Sequence, residues 1–446
     1  MTSRIIPPTP TETAEERDER LKWWREARFG MFVHYGLYSN MEGIYQGKRV
    51  AFDGAEWYQE RTGLSSPAYE KLTTDGFSVL EDAAEQWAKL AKDAGCEYVV
   101  LTTKHHDGFC LFNSDSTDFS TKNLINRDIV DEFVQACRKY GLKIGFYHSV
   151  LDWHHPQYDY TKSTLLPYPT DERARVDGIK RDHSKYQEYL HHQVVDELLT
   201  RYGKIDIIWF DYSAMDFDGD EAWKSVSLTQ NVKKKQPHII FNNRLYRRPE
   251  GGFSGQEVDD FTDQMDPRYG DFVTPEQHIP PQGLGNVDWE ACVTMNYNWG
   301  YSKLDTDWKS SDELIQSLCD IVSKGGNYLL NIGPKKHGEI PVESVERMTE
   351  IGDWIKTNNE AIKGTKAGPF KTLQEWGRIS TKPGIWYLMI FDKSALIELD
   401  LSTPVKDVSL LGNKEAVEWI GSDEKLTIDA GKLSESLKFP VLKVVF

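Results

Sequence analysis

The chain has 446 residues, 39% hydrophobic and 28% charged with no low-complexity tract, a composition that excludes a disordered or fibrous protein and suits one large domain plus a smaller one. Its formal charge of −17 excludes a nucleic-acid surface, which needs clustered Lys and Arg, and no stretch reaches the roughly 18–20 apolar residues of a membrane span. The partner expected from this balance is a neutral or weakly charged small molecule.

The opening stretch "MTSRIIPPTPTETAEERDER" lacks the apolar core of a secretory signal. That predicts a cytoplasmic protein if Met1 is the native start, and a periplasmic or secreted one if a leader has been removed. From Gly30 to Gly333 one theme repeats: a short apolar run rich in β-branched and aromatic residues, then an amphipathic segment of helical length. The runs are "GMFVHYG" from 30, "EYVVLTTK" from 97, "KIGFYHS" from 143, "DIIWFDY" from 206, "HIIFNN" from 238, "DFVTPEQ" from 271, "ACVTMNYN" from 291 and "NYLLNIG" from 327, the sixth being the weakest. Between them "LEDAAEQWAKLAKDAG" and "DIVDEFVQACRKYGL" read as helices stopped by Gly95 and Gly141. Eight apolar strands alternating with helices predict a parallel sheet covered on both faces, a (β/α)8-like (TIM) barrel.

After "VERMTEIGDWIKTNNEAI" the texture changes to closely spaced strands, "GIWYLMIFD", "ALIELDL", "VSLLG", "KLTIDA" and "VLKVVF", which predict a C-terminal antiparallel β-sandwich. The expected division is a catalytic barrel domain over 1–362 and a sandwich over 363–446, the latter packing on the barrel. Five cysteines, at 96, 110, 137, 292 and 319, stand singly without a CxxC pair. They read as buried free thiols, not a zinc knuckle or a disulfide framework.

In such a barrel the chemistry sits at the C-terminal strand ends. Histidines gather there: His34 after the first run, His105 and His106 after the second within "LTTKHHDGF", and His148 after the third. Adjacent His105 and His106 would face opposite sides of a continuing strand, so the strand has to finish or twist at His105 if both are to reach one ligand. Asp211, at the mouth of the apolar "IDIIWFDY", is a carboxylate whose burial needs a partner or a purpose. Two chemistries could use this collection. A metal-dependent barrel hydrolase would hold zinc with several histidines and a carboxylate, but the first strand carries a single histidine where two spaced by one residue are usual. A retaining glycosidase would use two carboxyls, with His, Arg and aromatics holding hydroxyls and the apolar ring face, and the 14 Trp and 21 Tyr suit it better. A carbohydrate-binding protein without catalysis is the reading from a different class, and Asp211 argues against it.

"WWREARFGMFVHYGLYS", "EWY" from 56, "YVVLTTKHHDGFCLF", "GLKIGFYHSVLDWHHPQY", "IIWFDY", "DFVTPEQHIP", "WEACVTMNYNWGY" and "SKGGNYLLNIGP", in that order from about Trp23 to Ile362, together resemble the α-L-fucosidases of glycoside hydrolase family 29. The resemblance implies a retaining exo-hydrolase, free of metal and cofactor, that removes terminal α-L-fucose from fucosylated oligosaccharides or glycoconjugates through a covalent fucosyl-Asp intermediate. It implies that Asp211 is the nucleophile, that Glu276 in "DFVTPEQ" is the general acid/base with Glu290 and Glu257 as competitors, and that His34, Glu56, Trp57, His105, His106, Tyr147, Trp209, Arg244 and Trp299 line the fucose pocket. His148 stands where some members carry an aromatic. Asp260, Asp263 and Asp266 read as a solvated loop.

Overall fold

In the computed structural model, residues 12–159, 179–212, 219–246, 269–370, 374–412, 417–422 and 424–446 are described. Helix α1 (Ala14–Ala27) starts at a capping box in which the Thr13 hydroxyl accepts the Glu16 N–H and the Glu16 carboxylate returns to the Thr13 N–H. Seven strands follow, β1 (Phe29–Val33), β2 (Tyr98–Lys104), β3 (Lys143–Ser149), β4 (Ile207–Asp211), β5 (Ile240–Phe241), β6 (Glu290–Thr294) and β7 (Asn327–Ile332). They form one parallel sheet in the order β5-β4-β3-β2-β1-β7-β6, and almost every residue in them is buried. That is why they read as unbroken apolar runs.

The sheet curls until β5 and β6 face each other, and the sixth apolar run spans the gap. Asp271 N–H donates to the Phe241 carbonyl at 2.7 Å, and on the other side Val273 exchanges backbone hydrogen bonds with Asp288 and Glu290 at 3.0 and 2.9 Å. Pro275, which has no N–H to give, interrupts this ladder, so the sixth position consists of isolated bridges at residues 272, 273 and 276. Inside the ring Phe32, Tyr98, Val100, Tyr147, Trp209, Phe272 and Leu329 form a core of their own, closed below by Leu21 and Trp24 of α1.

Register slips once, at the end of β2. Thr102 pairs with Tyr147 but Lys104 pairs with His148, so Thr103 is an extra residue, a β-bulge. Continued alternation from the inward-facing Val100 would send Lys104 into the barrel; the bulge sends it outward. There its ammonium meets Asp152 at 3.1 Å between the rings of Tyr186 and Tyr189. The strand ends at Lys104, and both His105 and His106 reach the barrel mouth.

The helices Ala83–Asp93 and Ile129–Lys139 bury an apolar stripe each, Ala84, Trp87, Ala88 and Ala91 in the first and Val130, Phe133, Val134 and Cys137 in the second. Gly95 and Gly141 follow them at φ 84° and 67°, the left-handed stop that only glycine adopts without cost. All five cysteines are free and buried.

Beyond helix Val342–Asn358, a five-stranded sheet runs in the order 366–367, 377–382, 385–390, 441–445, 407–410, and a three-stranded one in the order 396–400, 425–429, 419–421. Leu388, Ile390, Leu442 and Val444 of the first meet Ile397, Leu399, Leu426 and Ile428 of the second in one core, a β-sandwich. Alternation turns Tyr387, Met389 and Val441 the other way, into the core of the barrel side. Strands 366–367, 377–382 and 419–421 are additions to the five runs read from sequence.

The weakly laddered sixth position is held from below by α1. Arg20 grips both oxygens of Asp271 at 2.7 and 2.9 Å, Arg17 donates to the Asp271 carbonyl at 2.7 Å, and Arg25 clasps Asp288 at 2.7 and 2.9 Å. Removing one partner of a buried ion pair strands the other. Asp271→Ala is therefore expected to destabilise the protein by about 3–5 kcal/mol, measured by chemical denaturation. A loss under about 1 kcal/mol would mean that the bridges alone hold the seam.

Candidate functional site

At the C-terminal end of the barrel lies a cavity of about 260 Å³, below the roughly 300–1,000 Å³ typical of drug-sized ligands and suited to a single small ring. All eleven side chains expected from the sequence line it. His34 follows β1, His105 and His106 follow β2, Tyr147 lies on β3, and Trp209 and Asp211 end β4. Glu56 and Trp57 come from a single 3-10 turn, Ala55–Trp57. Arg244, Glu276 and Trp299 come from the loops after β5, from the sixth position and from beyond β6.

Arg244 is the centre of the charge arrangement. Asn242 first extends the barrel ladder with its side-chain amide, accepting from the Phe210 N–H at 3.1 Å and donating to the Phe210 carbonyl at 2.9 Å, which fixes the backbone two residues before Arg244. The guanidinium then donates through Nη1 to Asp211 Oδ1 at 2.9 Å and through Nη2 to Glu276 Oε2 at 2.8 Å. Its Nε donates to the Thr274 hydroxyl at 2.7 Å, and its plane lies 4.5 Å over the Trp209 ring. The second oxygen of Asp211 accepts the Tyr147 hydroxyl at 2.8 Å. Both carboxylates therefore sit on one buried cation, with each of its three nitrogens directed at an acceptor.

The histidines are neutral acceptors. Burial pushes His34 and His106 down to about 3 and holds His105 well below the ordinary imidazole range. The Asn331 oxygen lies 2.7 Å from His34 Nδ1, so that nitrogen carries the proton. Ser149 donates its hydroxyl proton to the Leu151 carbonyl at 2.9 Å and so accepts from His106 Nδ1 at 2.6 Å. In both rings Nε2 is left as an acceptor, and His106 Nε2 lies 3.8 Å from Asp211. Glu56 accepts the backbone N–H groups of Trp299 and Gly300 at 3.2 and 3.0 Å, yet burial pushes its carboxyl up to about 7. Among the described residues no group of three or more His, Cys, Asp or Glu side chains is arranged to hold a metal ion.

Of the competitors for the acid, Glu290 lies in the barrel interior beneath the cavity, fully buried, accepting the Tyr98 hydroxyl at 2.5 Å and the Trp209 indole N–H at 3.1 Å. It supports the floor on which Arg244 rests and does not line the cavity. Glu257, Asp260, Asp263 and Asp266 fall outside the described residues. His148 faces away from the barrel interior, its Nδ1 3.0 Å from the Thr103 hydroxyl, and Asp107 accepts the Tyr69 hydroxyl at 2.6 Å.

Five lining residues escape the sequence reading: Phe32, Glu60, Arg61, Tyr212 and Cys292. Phe32 and Cys292 face inward on β1 and β6 and could have been found from strand alternation. Tyr212 could not. Its backbone is left-handed at φ 83°, a conformation that costs a bulky residue of order 1–3 kcal/mol, and this turns its ring back over the cavity against Trp57 and His106, with centroids 5.9 and 5.8 Å away.

A family model for α-L-fucosidase matches residues 6–360. The tissue α-L-fucosidase of Mus musculus is 32% identical over 434 residues, covering 89% of this chain and 84% of its own, and the α-L-fucosidase of Dictyostelium discoideum is 30% identical over 445 residues, covering 94% and 88%. Among solved structures, α-L-fucosidase isoenzyme 1 from Paenibacillus thiaminolyticus matches with a TM-score of 0.84 at 35% identity, covering 96% of this chain and 99% of its own. A GH29 α-L-fucosidase from Bacteroides thetaiotaomicron, trapped as a covalent intermediate with 2-fluoro-fucosyl fluoride, matches with a TM-score of 0.81 at 27% identity over 98% of each chain.

Glu290 gives the barrel interior a pH signature. Burial pushes its carboxyl up to about 7, against hydrogen bonds from Tyr98 and Trp209 that act the other way. An unfolded carboxyl ionises near 4.5, so between about pH 4.5 and 7 the folded state binds the extra proton, and this contribution to stability is lost as pH rises through 7. Glu290→Gln removes the titration. Its Tm relative to the parent is expected to rise between pH 5 and pH 8, by the equivalent of at most about 3 kcal/mol. A difference independent of pH would show that Glu290 is ionised throughout.

Proposed function

The chain belongs to the α-L-fucosidase family and is a retaining glycoside hydrolase of terminal α-L-fucosyl residues; within that reaction we propose that Asp211 is the nucleophile and Glu276 the general acid/base. The observation that carries this reading is the pair of carboxyls held by the two terminal nitrogens of Arg244. Retaining enzymes keep their two carboxyls about 5–5.5 Å apart, and two carboxyls hydrogen-bonded to one guanidinium are held close together, as that chemistry needs.

In the first step an Asp211 oxygen attacks the anomeric carbon, the bond to the leaving oxygen breaks, and Glu276 gives that oxygen its proton. In the second, Glu276 takes a proton from water, whose oxygen attacks the same carbon and frees Asp211. Arg244 and the Tyr147 hydroxyl pin the attacking carboxylate, removing its rotational freedom before reaction. The neutral Nε2 atoms of His34 and His106, with Glu56, accept from the hydroxyls of fucose, while Trp299 and Phe32 offer apolar faces to a sugar that carries a methyl group. Every lining residue lies between 32 and 299, which supports 1–362 as the catalytic unit and 363–446 as a domain packed on it.

A second reading has one observation in its favour. Glu56 is also in the cavity and, pushed up to about 7, is suited to hold a proton at neutral pH. Two backbone N–H groups fix it against Trp299 and Gly300, which fits a hydroxyl-holding role better than proton delivery.

Asp211→Gly is expected to lower kcat on an aryl α-L-fucoside by roughly 10³-fold or more with the fold intact by circular dichroism. Near-normal turnover would end the assignment. Glu276→Ala should lose activity on natural leaving groups, keep a slow turnover of an aryl α-L-fucoside whose leaving group needs no proton, and be accelerated on that fucoside by azide, giving fucosyl azide of the substrate's configuration, whereas azide with Asp211→Gly should give the opposite configuration. Rescue in Glu56→Ala and none in Glu276→Ala would transfer the acid role.

A further inference from the structure

Two residues of the cavity take no part in this chemistry. Glu60 and Arg61 lie side by side on the short helix Tyr58–Thr62, directly after Glu56 and Trp57. Their side chains are 27% and 37% exposed, against 13% for Asp211 and 4% for Arg244, so they form the rim of the cavity and not its floor. The Arg61 guanidinium reaches Glu60 Oε2 only at 3.3 Å and Asp53 only at 3.7 Å. Glu60 Oε2 is sealed from solvent yet accepts no hydrogen bond. The Arg61 guanidinium balances the charge of this carboxylate without hydrogen-bonding to it, and the part-exposed carboxyl keeps acceptor capacity for a hydroxyl donor.

The guanidinium also lies flat against Gly54, where a Cβ would stand 3.2 Å from its Nη2. Gly54, left-handed at φ 76°, both makes the turn into Glu56 and leaves that face of Arg61 clear. The rim thus offers a fork of donors and an ionic acceptor a few ångströms apart with no net charge. That pairing suits a neutral polyol, whose hydroxyls both donate and accept, and disfavours an anionic or purely aryl group.

We propose that Glu60 and Arg61 form the subsite for the leaving group and that it takes a neutral sugar ring through its hydroxyls. The inference rests on the fucosidase reading, because the group at the rim of a filled sugar pocket is the one being released. It makes this pair determinants of which fucosides are cut, not of how the bond breaks.

The test compares kcat/KM for α-L-fucosyl fluoride, whose leaving group is too small to reach the rim, with fucosyl-galactose and fucosyl-N-acetylglucosamine disaccharides. In Glu60→Gln and Arg61→Lys, the disaccharide-to-fluoride ratio should fall about tenfold or more for at least one disaccharide, as expected for lost hydrogen bonds to charged groups. Parallel loss on fluoride and disaccharides would show that the pair merely shapes the pocket, and unchanged ratios for both disaccharides would remove the subsite; either overturns the proposal. Failure of the parent protein to hydrolyse fucosyl fluoride would instead overturn the reading on which it rests.

Discussion

One cation shared by two carboxyls is the constraint on which the site depends. Under the proposed assignment, a retaining hydrolysis carries a single negative carboxyl at each stage: Asp211 before attack, when Glu276 holds the proton, and Glu276 afterwards, when Asp211 has become an ester. A guanidinium with one nitrogen on each stays paired throughout without moving, because the charge passes from one end of its fork to the other. A lysine, with one ammonium on a flexible stem, has no second fixed nitrogen with which to do this.

Holding that guanidinium still takes a stack of supports reaching through the barrel. Trp209 lies under it, Glu290 takes the Trp209 indole N–H, and Tyr98 donates to Glu290 from β2. Thr274 holds it from the side, on a segment that owes its place to α1 as much as to its own ladder. The barrel core under the pocket is therefore polar at one point, and every atom of that point is directed at keeping Arg244 in register. Around it the imidazoles stay neutral because they are dry, so the pocket adds acceptors for hydroxyls without adding charges that would compete for the cation.

Much of this was legible in the order of residues because strands buried on both faces leave an unmistakable apolar trace, and side chains at their ends are placed by topology alone. His34, Tyr147, Trp209 and Asp211 follow from that rule. The demand that β2 finish or twist at His105 was also readable, since two adjacent imidazoles cannot share one face of a strand, and the bulge at Thr103 meets it. Depth along a strand was not readable: Glu276 reads as a carboxyl in the sixth run and Glu290 as one directly before the seventh, and only packing shows that Glu290 lies beneath the cavity and Glu276 at its mouth. Glu60 and Arg61 were invisible for a different reason. They belong to a five-residue helix outside the strand-and-helix repeat, and nothing local says which way it faces.

Tyr212 carries a cost in a place where the protein has no other need for it. The left-handed residue directly after Asp211 lowers the stability of the resting fold, and a glycine there would relax the backbone while losing the ring set against Trp57 and His106. Thermal robustness and a well-walled pocket thus pull in opposite directions at one position of the chain. A lineage selected for heat alone would drift away from this tyrosine, whereas one held to sugar turnover would keep it and recover the lost stability elsewhere, far from the barrel mouth.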